Sequence, residues 1–585
     1  MIIFRRKKKK KSSPSSLTLT CSSNSLSLLL CHFLSHLWSW RVNPSPSFFP
    51  PKPSFLLPLS LSLSHANCFS AAMSHLRLIL LAVLSLVSSI LSQPSATLID
   101  CGASASSVIA GRSWQPDGDF ISAGTSKNVS EQVLDQVLST VRSFPAAATR
   151  RKFCYVVAVS RGWKYTIRTT YFYGGVNGKA NPPPVFDQIV DGTLWGVVNT
   201  TADYAEGLAS YYEGVFLAQG KSMSVCVASN SYTASDPFIS ALEVVRLDGS
   251  VYNSTEFGGF GLSLVARHAF GYSGPIIRFP DDEFDRFWEP YSLNSTVPNN
   301  RKLEVSGFWN LPPSRIFNTD LRATQVQPLE FTWPPMPLKN SVYYIALYFA
   351  HDSDSLDGGG SRVFDVSVNG VTYYKEVSVA PAGAVIFASR WPLEGQTTLK
   401  LSPRSGSTLP PLVNGGEMFE LIALGGRTLV RDATALNAIK SSFKNVPVDW
   451  SGDPCMPKNY SWTGVTCSEG PRIRIVALNL TSMGLSGSLA PEVSRLTALS
   501  SIWLGNNSLS GSIPDFGSLK LLESVHLEDN RFSGTFPSFF SGVPRLRELF
   551  LQNNNLTGQV PSNLVQNPGL ELRTSGNPFL TQPPR

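Results

Sequence analysis

Four leucines near the C-terminal end set the tightest limit on what this chain can fold into. Leu480, Leu504, Leu527 and Leu551 are spaced 24, 23 and 24 residues apart. Each belongs to a line that begins at Ile475, Leu499, Leu522 or Leu546, with apolar residues three and five positions later. Asn follows at Asn507, Asn530 and Asn554, then Leu509, Phe532 and Leu556, then Gly511, Gly534 and Gly558; Met483 stands where the first line should have Asn. A fixed period of this length marks a solenoid. Solenoids stack units that bury a common core and display an extended surface, which suits recognition better than covalent chemistry.

The N-terminal end has a different character. Residues 1–72 contain nine Lys or Arg and no Asp or Glu, seven of the nine lying between Arg5 and Lys11. From Met73 a short basic region (His75, Arg77), an apolar run (Leu78–Val87) and small residues (Ser88, Ser89, Ser92) compose a secretory signal, expected over residues 73–92. Residues 1–72 are expected to be a non-native or unstructured leader. A targeting presequence and a basic nuclear or nucleic-acid patch are the rival readings. The chain has 49 Lys and Arg against 41 Asp and Glu, and setting aside the nine leader cations leaves 40 against 41. A balance so near neutrality gives no reason to expect a nucleic-acid partner.

Of eight cysteines, five lie beyond the leader: Cys101, Cys154, Cys226, Cys455 and Cys467. Cys455 and Cys467 fall just before the first ladder line, where a solenoid must seal its end from water, and a cross-link there is expected in an oxidising compartment. Among the other three, Cys154 with Cys226 is the preferred pair because both sit in strand-like runs, which leaves Cys101 odd. Eight acceptor sequons (Asn128, Asn199, Asn253, Asn294, Asn459, Asn479, Asn506 and Asn555) agree with passage through the secretory pathway and with N-glycans.

Between Thr97 and Ala423 short alternating or apolar runs are broken by Gly, Pro, Asn and Asp, as in Tyr165–Tyr173, Ser224–Ser229, Tyr343–Phe349 and Val363–Val368. Such runs predict β-sandwiches. The segment is long for one core and resembles itself: Tyr165–Tyr173 is followed by Phe186-Asp187 and Gly192, and Tyr343–Phe349 by Phe364-Asp365 and Gly370. A helix is expected from a Ser130 cap through Val141, and another over Ala433–Phe443.

Ile99-Asp-Cys-Gly102, Arg151-Lys-Phe-Cys154, Pro237–Glu243, Arg278–Trp288, Arg362–Asp365 and the repeat ending Leu509–Pro514 occur in an order that resembles plant malectin-like plus leucine-rich-repeat receptor proteins. The resemblance runs from Ile99 to about Phe579. It implies a mainly β chain: two tandem malectin-like β-sandwich domains (97–255 and 265–425), a linker and Cys-containing cap (431–470), and a short solenoid of four leucine-rich repeats (473–580). It further implies an extracellular, plasma-membrane-associated receptor ectodomain whose partners are a peptide, a cell-wall glycan or a co-receptor kinase ectodomain. A secreted or wall-associated carbohydrate-binding protein is the alternative. No 18-residue apolar span and no kinase signature occurs after the fourth repeat within these residues, which places the resemblance in the receptor-like protein branch without a kinase.

The solenoid should present Trp503, His526 and Phe550 outward from successive strands, with Glu528 and Gln552 beside them, as a partner-binding strip. Asn507, Asn530 and Asn554 should form an internal hydrogen-bond ladder. For sugar binding the candidates are Tyr171, Tyr173, Trp195, Tyr348 and Asp352, although packing of these aromatics in the core is the competing reading. The spacing of Asp352, Asp354, Asp357 and Gly358 departs from the regular calcium loop, so neither a metal nor a cofactor is expected. Arg286, in the acidic run Asp281–Asp285, should pair with a carboxylate. No catalytic residue is identified, and no enzyme is expected.

Overall fold

The computed structural model describes residues 96–133, 135–146, 151–178, 181–293, 296–298, 307–350, 360–380 and 382–583. The leader, the signal segment 73–92, Asn294 and the Asp352–Gly358 loop lie outside them.

A long sheet runs through the first three hundred described residues. Its spine has eight strands: β1 (Ala96–Asp100), β2 (Lys164–Tyr171), β3 (Ser210–Leu217), β4 (Ala241–Arg246), β5 (Phe260–Phe270), β6 (Leu338–Phe349), β7 (Ala384–Gly395) and β8 (Gly415–Ala423). Their spatial order is β1-β4-β2-β3-β5-β8-β6-β7, so the order of the first four recurs in the second four. The halves meet where β3 pairs with β5 through Gly214↔Ser263 and Val215↔Leu262. Each half faces its own four-stranded antiparallel sheet. In the first half this sheet runs Lys152–Ala158, Ser222–Ser229, Val185–Val190, Thr193–Asn199, and in the second Leu329–Thr332, Thr398–Pro403, Val363–Val368, Val371–Ser378. Tyr171, Phe186, Phe216 and Phe238 pack in the first core, and Phe331, Trp333, Tyr343 and Phe349 in the second.

Charges bridge the seam. Arg168 on β2 donates to Glu213 on β3 at 2.7 Å, and Glu213 meets Arg267 on β5 at 2.7 Å. The turn Arg278–Trp288 closes over them: Asp285 accepts from Arg278 and contacts Arg168 and Arg112, and Arg286 donates to Asp282 at 2.9 Å as its acidic surroundings led us to expect. Arg168, Glu213, Arg267, Arg286 and Glu417 are all buried, so each charge depends on its neighbours for solvation. Burial acts to raise the Asp285 carboxyl, but Arg168, Arg278 and Arg112 outweigh it and hold it at about 2.

The helix expected from Ser130 does not form. Ser130 Oγ donates to Gly174 O instead of capping, only Gln136–Leu138 takes a short 3-10 turn, and Thr140–Ser143 is a strand between Thr125–Asn128 and Phe238–Ile239. Tertiary pairing overrides a local capping signal here. Helix Val430–Ser442 does form and buries Ala435, Leu436 and Ile439 against the solenoid cap.

The solenoid has two parallel sheets. The first stacks Ile475–Asn479, Ser501–Trp503, Ser524–His526, Glu548–Phe550 and Glu571–Arg573, with the cap strand Val465–Cys467 antiparallel at one end. The stack therefore has five lines rather than the expected four. The fifth begins at Gly569 and has Leu572 and Thr574 where the other lines have two apolar residues, so its apolar pattern is weak, but it carries its own Asn577. Leu478, Leu480, Ile502, Leu504, Val525, Leu527, Leu549 and Leu551 fill the core. Asn507, Asn530, Asn554 and Asn577 turn inward and bond carbonyls of their own and the preceding line. Among the described residues no helix is long and apolar enough to cross a membrane.

Candidate functional site

Strand alternation puts every second side chain of the first solenoid sheet outside, and parallel register aligns these side chains from line to line. Asn479, Trp503, His526, Phe550 and Arg573 are consecutive register partners. The expected file of three aromatic side chains is therefore five residues long; Asn479 begins it and Arg573 ends it. Trp503 and His526 have ring centroids 6.0 Å apart at 52°, His526 stacks on Phe550 at 4.2 Å and 22°, and the Arg573 guanidinium lies 4.2 Å from the Phe550 centroid. Rings held by one another lose little freedom when a partner lands on them, which favours them as anchors.

A polar row runs alongside. Glu548 accepts from Ser524 Oγ at 2.6 Å and from His526 Nε2 at 3.1 Å. These bonds, Ser524 first, hold its carboxyl below the usual glutamate range. Glu528 and Gln552 occupy the next outward positions and are half-buried. Glu528 lies over Gly505, where a Cβ would meet Glu528 Oε1 at 2.4 Å. Trp503 Nε1, Glu528 Oε2 and Gln552 Oε1 are shielded from water and find no hydrogen-bond partner among the described residues. A donor and two acceptors left without partners cost about 1–3 kcal/mol each until another group bonds them. Glu528, Glu548 and Glu571 outnumber Arg573, so the strip is acidic.

The proposed sugar-contacting aromatics lie elsewhere and are enclosed. Tyr171 and Tyr173 are 1% exposed, Trp195 6% and Tyr348 0%. Tyr171 packs edge-on against Phe186 and Phe238, Trp195 donates to Ser263 Oγ at 3.0 Å, and Tyr348 accepts from Asn310 Nδ2 at 3.2 Å. Tyr171, Tyr173 and Trp195 fill the first core and Tyr348 a separate apolar cluster with Trp288 and Phe419, so none offers a face to a sugar, which corrects that expectation for these four; Asp352 lies outside the described residues. Alternation rightly separates Phe172, in a different apolar cluster, from Tyr171 and Tyr173, but both faces of this strand are covered.

Cys455 is bonded to Cys467 and Cys154 to Cys226, while Cys101 is free and buried. The Cys154–Cys226 bridge lies on the outer face of the first four-stranded sheet, where the solenoid cap docks. Ser451 Oγ accepts from Cys154 N at 3.1 Å, Tyr460 OH donates to Asp187 Oδ2 at 2.6 Å, and Lys152 Nζ donates to Asp453 O at 2.6 Å and to Met456 O. Burial pulls the Lys152 ammonium down to about 8, against the pull of Asp453 and Asp449. Gly452 fits the joint because a Cβ there would lie 2.7 Å from Cys154 Sγ. No sequence signal pointed to this contact, which joins residues some 300 positions apart. Asn128, Asn199, Asn253, Asn459, Asn479, Asn506 and Asn555 are all exposed. Among the described residues no cluster of His, Cys, Asp or Glu could hold a metal ion.

Residues 99–421 match the malectin-like domain family, 430–468 the leucine rich repeat N-terminal domain, and 520–579 the leucine rich repeat. A leucine-rich repeat receptor-like serine/threonine-protein kinase of Arabidopsis thaliana is 31% identical over 400 residues, covering 66% of this chain and 44% of its own length. A second LRR receptor-like serine/threonine-protein kinase of that plant is 32% identical over 435 residues, covering 71% of this chain and 49% of its own. The chain thus spans under half the length of these relatives. Among solved structures, the Arabidopsis thaliana ANX2 ectodomain aligns with a TM-score of 0.47 at 14% identity, over 56% of this chain and 97% of that one. The plant receptor-like kinase FER aligns with a TM-score of 0.46 at 17% identity, over 56% and 96%. The chain belongs to the malectin-like domain family, joins that domain to a capped leucine-rich-repeat solenoid, and is homologous to part of plant leucine-rich-repeat receptor-like kinases.

Proposed function

We propose that this chain is the ligand-binding ectodomain of a plant cell-surface receptor-like protein that signals through a partner kinase, and that its recognition surface is the concave strip of the solenoid. The observation that carries this reading is the in-register file Trp503, His526, Phe550 and Arg573 beside Trp503 Nε1, Glu528 Oε2 and Gln552 Oε1, three polar atoms without partners. An acidic strip with aromatic anchors favours a peptide, or a peptide-like segment of a co-receptor ectodomain, that carries a basic residue next to an apolar one. Opposite charge adds mainly to encounter rate and choice of partner, and the rings supply the contact energy. The recurring strand order supports a division of the malectin-like region into two tandem sandwiches. Docking of the first sandwich on the cap gives the strip a firm base. The placement is at the cell surface facing the wall.

The alternative, a secreted carbohydrate-binding protein, is weakened by the burial of Tyr171, Tyr173, Trp195 and Tyr348. A binding panel separates the two. The immobilised full chain, produced in plant cells, is exposed to basic secreted peptides, to co-receptor kinase ectodomains, and to cellulose- and pectin-derived oligosaccharides. Saturable binding of a peptide or an ectodomain supports the receptor reading. Binding of oligosaccharides alone overturns it.

A further inference from the structure

The first position of the recognition file is Asn479, the acceptor of the sequon Asn479-Leu480-Thr481. Asn479 and Trp503 are register partners on adjacent parallel strands, so their side chains leave the same face about 4.8 Å apart. Asn479 Oδ1 accepts from Thr481 N at 3.2 Å, and Asn479 Nδ2, the atom a glycan would occupy, has no hydrogen-bond partner among the described residues. Asn506 differs, because its Nδ2 donates to Ser482 Oγ at 2.9 Å. On the side away from Trp503, Asn479 N bonds Gly464 O in the cap. Gly464 has no side chain there, and a Cβ at that position would collide with Asn479 O at 2.2 Å. The backbones therefore approach closely on that side, the Asn479 side chain itself is exposed, and its neighbour along the file is an indole.

We infer that Asn479 carries an N-glycan whose first sugar lies against the Asn479 side of the Trp503 ring and so bounds the N-terminal end of the strip. The apolar face of a pyranose and the negatively charged face of an indole attract each other at contact distance, and the register sets that distance. A glycan here differs from one at Asn555, which begins a strand of the second solenoid sheet and has no place in the file. The partner would then meet a strip bounded at that end by the glycan, which suits a short segment better than an extended arc.

The inference rests on passage of the chain through the secretory pathway, and the experiment separates the two. The full chain is expressed in plant cells and its glycopeptides are mapped by mass spectrometry. Hydroxyl-radical footprinting then measures oxidation of Trp503 in the wild type, in Asn479→Gln and in Thr481→Ala, which removes the acceptor motif and keeps the asparagine. We expect Asn479 to be occupied and Trp503 oxidation to rise severalfold in both variants, with Asn555→Gln leaving it unchanged. Occupancy of other sequons without Asn479, or equal oxidation of Trp503 in all forms, overturns the inference. Absence of glycan from every sequon overturns the secretory reading along with it.

Discussion

Replacing Asn530 by Ala tests how the proposed recognition surface is held in register. Asn530 Nδ2 donates to Leu504 O at 2.9 Å, Glu528 O at 3.0 Å and Leu527 O at 3.3 Å, and its Oδ1 accepts from Leu509 N at 2.9 Å. The three carbonyls keep other donors: Asn507 Nδ2 reaches Leu504 O, Asn506 N reaches Glu528 O, and Asn554 Nδ2 reaches Leu527 O. Only the Leu509 N–H is left without a partner, inside the core. That orphan costs about 1–3 kcal/mol, and the weakened carbonyl bonds add about 1 kcal/mol, for a total near ~3 kcal/mol. Unfolding of a chain with several cores is not two-state, so the readout should be local. Native-state hydrogen exchange at Leu509 should lose about 100-fold in protection, the equivalent of ~3 kcal/mol in opening free energy. Ser510→Ala, which removes an exposed bond to Gly487 O, should change protection less than about threefold. If Asn530→Ala loses no more than that control, the asparagine ladder does not hold the strip.

Stability of the malectin-like region should fall in acid. The Asp285 carboxyl is lowered from 3.8 to about 2, so its contribution is complete above about pH 4 and is lost as pH falls toward 2; that is about 2 kcal/mol, read as a drop in melting temperature that Asp285→Asn flattens. At the sandwich–solenoid joint, Tyr460→Phe removes the 2.6 Å bond to Asp187 and should increase proteolytic nicking near residue 452, with a cost of about 1–3 kcal/mol. Gly271→Ala should cost more than about 2 kcal/mol, because φ is +72° and the new Cβ would lie 2.3 Å from Asp320 O; an unchanged melting temperature would contradict the packing described.

The solenoid was legible in the sequence because its period is local. The second, third and fourth lines each carry their own Leu, Asn and Gly, and the direction of Asn507, Asn530 and Asn554 follows from where they recur. Arg573 was missed because the fifth line weakens, although Asn577 keeps the spacing and could have revealed it. The sandwich strands were legible as runs, but their neighbours were not. The β3–β5 seam joins strands on short apolar and Gly patches with no local mark, and Glu213, Arg168 and Arg267 become partners only once that seam exists. Period-two alternation shows which aromatics share a face; it does not show whether that face is covered, and this is why Tyr171, Tyr173 and Trp195 looked available to a sugar. Ser130 reads as a cap until Gly174 O comes within reach of its hydroxyl.

The central claim is that partners bind through the concave strip. Its most direct test is the affinity of the partner found in the binding panel, measured by interferometry for the wild type, for His526→Ala/Phe550→Ala and for Tyr232→Ala, an exposed aromatic of the malectin-like region. Two anchors at about 1.5–2 kcal/mol each predict at least about 100-fold weaker binding by the double variant and no change in the Tyr232 variant. Undiminished affinity in the double variant, or loss in Tyr232→Ala alone, would place recognition on the malectin-like region and contradict the account.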